Sequence, residues 1–252
     1  TERRKMEERL SALNSYSGKL NAAKNLQQIC KLTLDALKQV LGFEYADFML
    51  LEKDNLNVVC QHGYQKPLPL KLPVDRSRKG ITVKSAILGK PILVPDVRKN
   101  KNYVGTIPGI KSELAVPIIA KDEVLGVLNV ESIEINAFNQ KDVALVQILA
   151  SHAATAISNF SNMKEIEKRN WQQASLMKSS AEMIHSTELR QRLQAILNAV
   201  KGLGWRRVVL SVRNQNLDIV KPEDIVTAGL TNKEKEFLWT NRRSGQVWQE
   251  RF

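Results

Sequence analysis

The stretch Gly80–Ser132, GITVKSAILGKPILVPDVRKNKNYVGTIPGIKSELAVPIIAKDEVLGVLNVES, decides the fold of this chain. It begins with a short apolar segment that predicts a helix ended by Gly89, and the β-branched run that follows predicts a strand. After a polar loop come two apolar runs, Glu113–Ala120 and Val124–Ser132, joined by the charged turn Lys121-Asp122-Glu123. The two runs predict a β-hairpin.

The segments on either side complete the unit. Apolar residues at helical spacing predict a helix that ends at Gly42. Strands are expected over Tyr45–Glu52 and Leu56–His62, and a capped helix over Phe138–Phe160. We therefore predict an α+β fold with a mainly antiparallel central sheet, helices packed on one face, and an open face under residues 63–111.

Beyond this unit, the helical pattern continues into a long connecting helix. We divide the chain into an N-terminal helix (1–20), a complete domain (21–160), a connector helix (161–187) and part of a second copy (188–252). The connector carries a weak heptad pattern at Met163, Ile166, Asn170, Ala174, Met177, Ala181 and Ile184. It predicts a weak two-stranded coiled coil in a dimer, and the alternative is a long helix lying on its own protein.

The second copy is predicted from an internal repeat. Lys38–Phe43 is echoed by Val200–Trp205 and strand Tyr45–Leu51 by Arg207–Arg213. The polar turn Lys53-Asp54-Asn55 is echoed by Asn214-Gln215-Asn216, and Lys79-Gly80-Ile81 by Ser244-Gly245-Gln246. The copy stops at Phe252, before its central hairpin and closing helix, and the chain does not begin with Met. We expect it to be a piece of a longer protein.

Composition indicates an ordinary globular protein. The chain has 252 residues, of which 43% are hydrophobic and 25% charged. Cys30 and Cys60 lie in apolar patterns and are interpreted as buried reduced thiols, with a disulfide or redox pair as the alternative. With no apolar run long enough to span a bilayer, we expect no membrane association and a cytoplasmic location.

The net charge of +12 raises the question of nucleic acid. Basic residues concentrate between Lys66 and Lys101, where only Asp75 and Asp96 oppose them. No helix-turn-helix, zinc-finger spacing or aromatic strand accompanies the cluster. Nucleic-acid binding through residues 66–101 is therefore kept only as a less favoured alternative.

Residues 20–160 resemble the GAF domain family of signalling proteins. The resemblance rests on Leu41-Gly42-Phe43, Gly80-Ile81, Gly89–Val97, Ser112–Ile118, Gly126–Val130 and Phe138–Asp142. It implies a small-molecule sensor and dimerisation module. It also implies a tandem arrangement ahead of an output domain outside this chain, such as the histidine kinase of a two-component system. We expect a homodimer formed through the N-terminal and 160–190 helices.

The ligand signatures of that family are not matched. The cyclic-nucleotide signature is broken where Val130 follows Asn129 and Val143 follows Asp142. Bilin-binding members and members that reduce free methionine sulfoxide need cysteines in the pocket loops, where this chain has none. His62, His152 and His185 are assigned packing or surface roles, so haem is not supported. The cofactor is left unknown.

The hairpin nevertheless predicts part of a site. If Lys121-Asp122-Glu123 is a three-residue loop, Glu113 faces Glu131 and Ala115 faces Asn129. Like charges opposed on a strand pair destabilise it unless they are neutralised. Two ways of neutralising the glutamates stay open, namely basic residues of loop 98–101 and a cationic ligand. A third alternative is that this end of the sheet is solvated, in which case neither is needed. A two-residue turn would dissolve the pair.

Three further features surround this hairpin. The helix that begins near Gly80, with Lys79 beside it, is a candidate anion site. Tyr103 is a candidate lid residue, and Asp96 is interpreted as a structural turn residue. The candidate ligand-binding residues are Lys79, Gly80, Tyr103, Glu113, Asn129 and Glu131.

No nucleophile elbow, phosphate-cradling loop or metal-ligand spacing is found, so we expect no enzymatic activity. The favoured function is a regulatory module that transmits ligand-dependent packing changes through its terminal helices. A ligand-free dimerisation scaffold is the main alternative.

Overall fold

Six strands form one sheet in the first of two compact units, Thr1–Met163. In chain order they are β1 (Tyr45–Glu52), β2 (Asn55–His62), β3 (Lys71–Pro73), β4 (Ile92–Val94), β5 (Ser112–Ala120) and β6 (Glu123–Ser132). Every neighbouring pair is antiparallel, and the order across the sheet is β3-β2-β1-β6-β5-β4. The structure is a computed structural model that describes residues 2–65, 71–75, 79–105, 107–185, 188–216, 218–219 and 221–241.

Helices cover one face of this sheet. They are α1 (Glu2–Asn21), α2 (Leu26–Gln39) and the first part of α4 (Gln140–His185). Asn25 caps α2, since its side-chain oxygen accepts a hydrogen bond from the backbone N–H of Gln28 at 2.8 Å. Alternate residues of the strands point into the same core, which includes Leu13, Leu20, Ile29, Leu37, Phe48, Leu114, Leu128, Leu145 and Leu149. The predicted α+β class, with helices on one face of an antiparallel sheet, is confirmed.

The opposite face is covered by α3 (Ile81–Leu88), a 3-10 turn (Val97–Lys99) and loops. Because successive residues of a strand point to opposite faces, odd-numbered positions of β1, and of β5 and β6 away from their turn, lie here. A second apolar cluster includes Met49, Ile81, Val83, Val97, Ala115 and Val127.

The β5–β6 hairpin differs from the predicted loop in a way that preserves its register. Ala120 pairs with Glu123, so the turn has two residues, Lys121 and Asp122, both with positive φ. A register shift between Ile118 and Ile119 then compensates for the shorter turn. Glu113 still faces Glu131, so our expectation that a two-residue turn would dissolve the pair was wrong.

Helix α4 continues without interruption from Gln140 to His185. Its stretch Gln140–Glu182 is long and apolar enough to cross a membrane by length and composition alone, which corrects the expectation that no such run exists. Half of its most apolar part is buried, as in the core helix of a globular domain.

The second unit, Lys164–Phe252, contains α5 (Leu189–Gly202), β7 (Val208–Ser211), β8 (Ile225–Ala228) and α6 (Asn232–Thr240). Strands β7 and β8 form an antiparallel pair. The connection between them is longer than the predicted turn at Asn214-Gln215-Asn216. The repeat partner proposed at residues 244–246 lies outside the described residues.

Candidate functional site

Three carboxyl groups from three strands lie on the face of the sheet opposite α2 and α4. Asp47 of β1 is paired in register with Asn129 of β6, and Glu131 of β6 is paired with Glu113 of β5. All four residues are buried, with exposures of 7% or less. We call Asp47, Glu113 and Glu131 the carboxyl cluster. Buried acidic residues are rare unless they are paired, so this arrangement requires a physical explanation.

Neighbouring polar side chains hold two of the carboxyl groups in place. The Tyr64 hydroxyl lies 3.1 Å from Glu131 Oε2 and 3.3 Å from Asp47 Oδ2, so it can donate to either. The Asn129 amide nitrogen donates to Asp47 Oδ2 at 3.1 Å. The Tyr64 ring packs against Tyr45, with 5.7 Å between ring centroids. These contacts fix the positions of Asp47 and Glu131 within the cluster.

Other polar atoms of the same site are buried without a partner among the described residues. They are Asp47 Oδ1, Asn129 Oδ1 and the Tyr103 hydroxyl. Leaving such an atom unpaired costs about 1–3 kcal/mol, and native structures contain few of them. Two of the three atoms are acceptors, so the site lacks donors in particular.

Burial and mutual repulsion favour the neutral form of these acids. Burial raises the pKa of Asp47 to about 7, and the Glu131 charge adds to this, while hydrogen bonds from Asn129 and Tyr64 oppose it. Burial and then the Glu131 and Asp47 charges raise the pKa of Glu113 well above its ordinary value. Burial also raises the pKa of Glu131 and of the Tyr103 hydroxyl. The surroundings of the carboxyl cluster therefore destabilise its ionised form relative to its protonated form.

No basic side chain within the described residues forms an ion pair with the cluster. Arg98 instead binds Asp96 through two side-chain contacts of 2.8 and 2.9 Å, and Lys99 lies 4.0 Å from the same carboxylate. Neutralisation of Glu113 and Glu131 by loop 98–101, one of our two alternatives, is therefore wrong for Arg98 and Lys99. The Arg98 guanidinium pairs with Asp96, which is only two residues away in the chain.

Asp96 lies in a separate environment, in which its side chain is only 11% exposed. Its carboxylate also accepts a hydrogen bond from the Arg98 backbone N–H at 3.2 Å and caps the 3-10 turn. The hydrogen bonds from Arg98 lower the pKa of Asp96 to about 2. This geometry fits the turn role that we predicted for Asp96.

The predicted anion site lies at the start of α3. Gly80 precedes the helix with φ +139, and no side chain caps the helix start. Lys79 is exposed, and Arg76 and Arg78 lie outside the described residues. The anion role of Lys79 and Gly80 stays a prediction.

Sequence reasoning missed Asp47 and Tyr64. Asp47 is the one charged residue within the apolar run Tyr45–Leu51, which is the signal that could have drawn attention to it. Its position beside Asn129 depends on the β1–β6 pairing, which joins segments about 80 residues apart in the chain and has no local sequence signature. Of the predicted residues, Glu113, Asn129 and Glu131 come together, and Tyr103 lies close enough for the charges of both glutamates to raise its pKa.

Metal binding is not favoured by the spacing of these groups. Within the described part of the chain, no three His, Cys, Asp or Glu side chains converge closely enough to hold a metal ion. Cys30 and Cys60 lie in or against the core on the helix-covered face of the sheet, opposite the carboxyl cluster.

In a comparison with known protein families, residues 23–158 match the family model described as GAF domain. GAF domain-containing protein A of Dictyostelium discoideum is 30% identical over 136 residues, covering 53% of this chain and 80% of that protein. The free methionine-R-sulfoxide reductase of Saccharomyces cerevisiae is 25% identical over 135 residues, covering 53% of this chain and 74% of that enzyme.

A solved structure agrees with the fold. The GAF domain of a phosphoenolpyruvate-protein phosphotransferase from Coxiella burnetii superposes with a TM-score of 0.57 at 22% identity, covering 64% of this chain and 98% of that domain.

The yeast relative corrects one expectation. We expected no enzymatic activity, but an enzyme matches this chain over three quarters of its own length. Fold and family therefore do not exclude catalysis.

Proposed function

This chain belongs to the GAF domain family, whose members are commonly regulatory sensor modules, and from that premise we propose that its first unit senses a small organic cation. The ligand class is a molecule with a protonated amine or amidine-like nitrogen, and its binding site is the carboxyl cluster. The observation that carries the proposal is three buried acids from three adjacent strands with no described basic partner. Two acceptor atoms of the site, Asp47 Oδ1 and Asn129 Oδ1, are also unpaired among the described residues. A protonated nitrogen supplies both the charge and the N–H donors that are missing.

Electrostatics explains how such a ligand changes the protein. Without it, burial favours protonated acids, and a bound cation instead favours their ionised form. Binding is then coupled to proton release and to tighter association of β1, β5 and β6. A ligand shifts a conformational equilibrium only by its differential affinity for the two states, and this change of charge state provides one.

Calorimetry tests directly whether a cation binds. Free amino acids, polyamines and guanidines are compared with simple carboxylates and phosphates by calorimetry at about pH 6 and pH 8. We expect a cationic compound to bind, to release protons, and to lose affinity in Glu113→Gln and Glu131→Gln. Glu123→Gln, at the exposed end of the same hairpin, is the matched control. Binding of anions alone, or undiminished cation binding in both variants, would refute the proposed ligand class.

Transmission is proposed to run through α4 and a second copy of this chain. The helix carries buried Leu145 and Leu149 in the domain core and continues to His185. Further along, Met163, Ile166, Met177 and Ile184 are exposed at half or more of their surface. These residues belong to the predicted heptad pattern. They are suited to dimer formation in a tandem sensor whose output domain, such as a histidine kinase, lies outside this chain.

Light scattering tests the dimer. We expect a dimer for the parent chain and a monomer for the double variant Ile166→Asp, Met177→Asp, because charge on a coiled-coil contact disfavours association. Gln173→Glu, exposed and outside the heptad positions, serves as control. A parent chain that stays monomeric at all accessible concentrations contradicts this part of the proposal. A dimer that binds none of the tested cations would favour a ligand-free scaffold.

A second candidate function is the reduction of a small sulfoxide, which is favoured by the similarity to the yeast reductase. The assay is NADPH consumption with thioredoxin, thioredoxin reductase and free methionine-R-sulfoxide. Turnover that disappears in Cys60→Ser would support this function. The absence of turnover with fully reduced protein would refute it and leave the sensor.

A further inference from the structure

The two cysteines of this chain, Cys30 and Cys60, lie on two elements that contact each other, helix α2 and strand β2. Cys30 is on α2, which packs on the sheet, and Cys60 is on β2, directly under that helix. Gln27 lies three residues before Cys30 on the same face of α2 and contacts Cys60 Sγ, which places the two thiols next to each other where α2 packs on β2. Both are free thiols.

The two thiols differ in access. Cys30 is fully buried, whereas Cys60 is half-buried and lines an open groove of about 520 Å³. Gln27 and Lys31 of α2 and His62 of β2 also line that groove. The Gln27 amide donates a hydrogen bond to Cys60 Sγ at 3.3 Å. Cys60 is therefore the thiol that a small oxidant reaches first.

We propose that Cys30 and Cys60 form a peroxide-reactive dithiol site that closes to an intramolecular disulfide joining α2 to β2. The oxidant class is a hydroperoxide small enough to enter the groove. In the first step, the Cys60 thiolate attacks the terminal peroxide oxygen, the O–O bond breaks, and the alkoxide leaves as an alcohol after taking up a proton. In the second step, the Cys30 thiol attacks the Cys60 sulfenic sulfur, the S–O bond breaks, and the hydroxyl leaves as water with the Cys30 proton. Two thiols and one hydroperoxide thus give one disulfide, one alcohol and one water.

The electrostatics assigns the order of the two steps. Burial raises the pKa of Cys30, which keeps it a thiol. Interaction with the neighbouring Cys30 thiol lowers the pKa of Cys60, which favours its thiolate form. Attack by Cys60 followed by resolution by Cys30 agrees with their relative exposure. This site lies on the opposite face of the sheet from the carboxyl cluster and does not depend on the proposed ligand.

Intact-mass spectrometry tests the proposal on the full chain treated with hydrogen peroxide. We expect the oxidised protein to lose the mass of two hydrogen atoms, to become inert to alkylation at both cysteines, and to recover both on reduction with dithiothreitol. In Cys30→Ser, Cys60 should gain one oxygen and become trappable by dimedone, since the resolving thiol is gone. In Cys60→Ser, peroxide should leave Cys30 unmodified.

Three outcomes would overturn the proposal. The first is a parent chain in which both cysteines remain alkylatable after peroxide treatment. The second is a covalent dimer linked through Cys60 in place of the intramolecular disulfide. The third is dimedone trapping of Cys60 in the parent chain to the same extent as in Cys30→Ser, because this would show that Cys30 does not resolve the sulfenic acid.

Discussion

Replacing Asp47 by Asn should stabilise the unliganded protein above neutral pH. The pKa of Asp47 in the folded chain is about 7, against an ordinary value of 3.8. Below about pH 4 the acid is protonated in both the folded and unfolded states, and it contributes no pH dependence. Between about pH 4 and pH 7 the unfolded chain ionises while the folded chain retains its proton, so stability falls as pH rises.

The magnitude follows from the difference between the two pKa values. At about 1.36 kcal/mol per pKa unit, the folded state loses up to about 4 kcal/mol by pH 8. Asn is neutral and can still accept the hydrogen bonds of Tyr64 and Asn129 through its carbonyl oxygen. We therefore expect Asp47→Asn to gain about 1–4 kcal/mol over the parent chain near pH 8, and much less near pH 4.

Urea unfolding followed by far-UV circular dichroism measures this difference. All four tryptophans lie after residue 163, so their fluorescence reports the second unit and separates its transition from that of the first. Asp122→Asn, in the exposed turn of the β5–β6 hairpin, is the control. Parallel pH profiles for Asp47→Asn and the parent chain would refute the reasoning. A parent chain that is the more stable one at high pH would mean that a positive charge lies beside Asp47.

Three further predictions concern single contacts. Gly126→Ala places a methyl group against the Met49 carbonyl oxygen of β1 and should lower the free energy of unfolding by about 1–3 kcal/mol or more in urea titrations. Gly18→Ala, with open space on α1, should raise it by up to about 1 kcal/mol. Asn25→Ala removes the cap of α2 and should cost about 1 kcal/mol, largely recovered by Asn25→Asp; equal losses in both would contradict a capping role. Tyr64→Phe removes a donor that lowers the pKa of Asp47, so NMR titration should find that pKa further raised, and an unchanged or lower value would be inconsistent with the contact.

The main elements were predictable because their signals are local. The apolar run Tyr45–Leu51 and the turn after it define β1 and β2, and the charged turn at Lys121 defines the β5–β6 hairpin. The Glu113–Glu131 pairing was predicted correctly but for an incomplete reason. The turn is one residue shorter than expected, and a bulge at Ile118/Ile119 offsets it. Bulges of this kind have no clear sequence pattern, and only the buried face of the hairpin forces the compensation.

The rest of the site depends on contacts between distant parts of the chain. Asp47 joins the carboxyl cluster only because β1 pairs with β6, and nothing in either segment specifies the other. The fate of Arg98 illustrates the opposite error. We considered the distant Glu113 and Glu131 as its partners, but Arg98 pairs with Asp96, two residues away. A partner so close in the chain costs less conformational entropy than a distant one.

The order of strands in the sheet has a consequence for how the first unit folds. Strands β3, β2 and β1 form one meander between residues 45 and 73, and β4, β5 and β6 form another between 92 and 132. A single ladder, Tyr45–Leu50 against Gly126–Glu131, joins the two halves. Closing this ladder requires the largest loop, so it should form late. Asp47 belongs to one half and both glutamates to the other. A molecule that binds all three acids therefore fastens the two halves of the sheet together, and the amide protons of this ladder should exchange more slowly when it is bound.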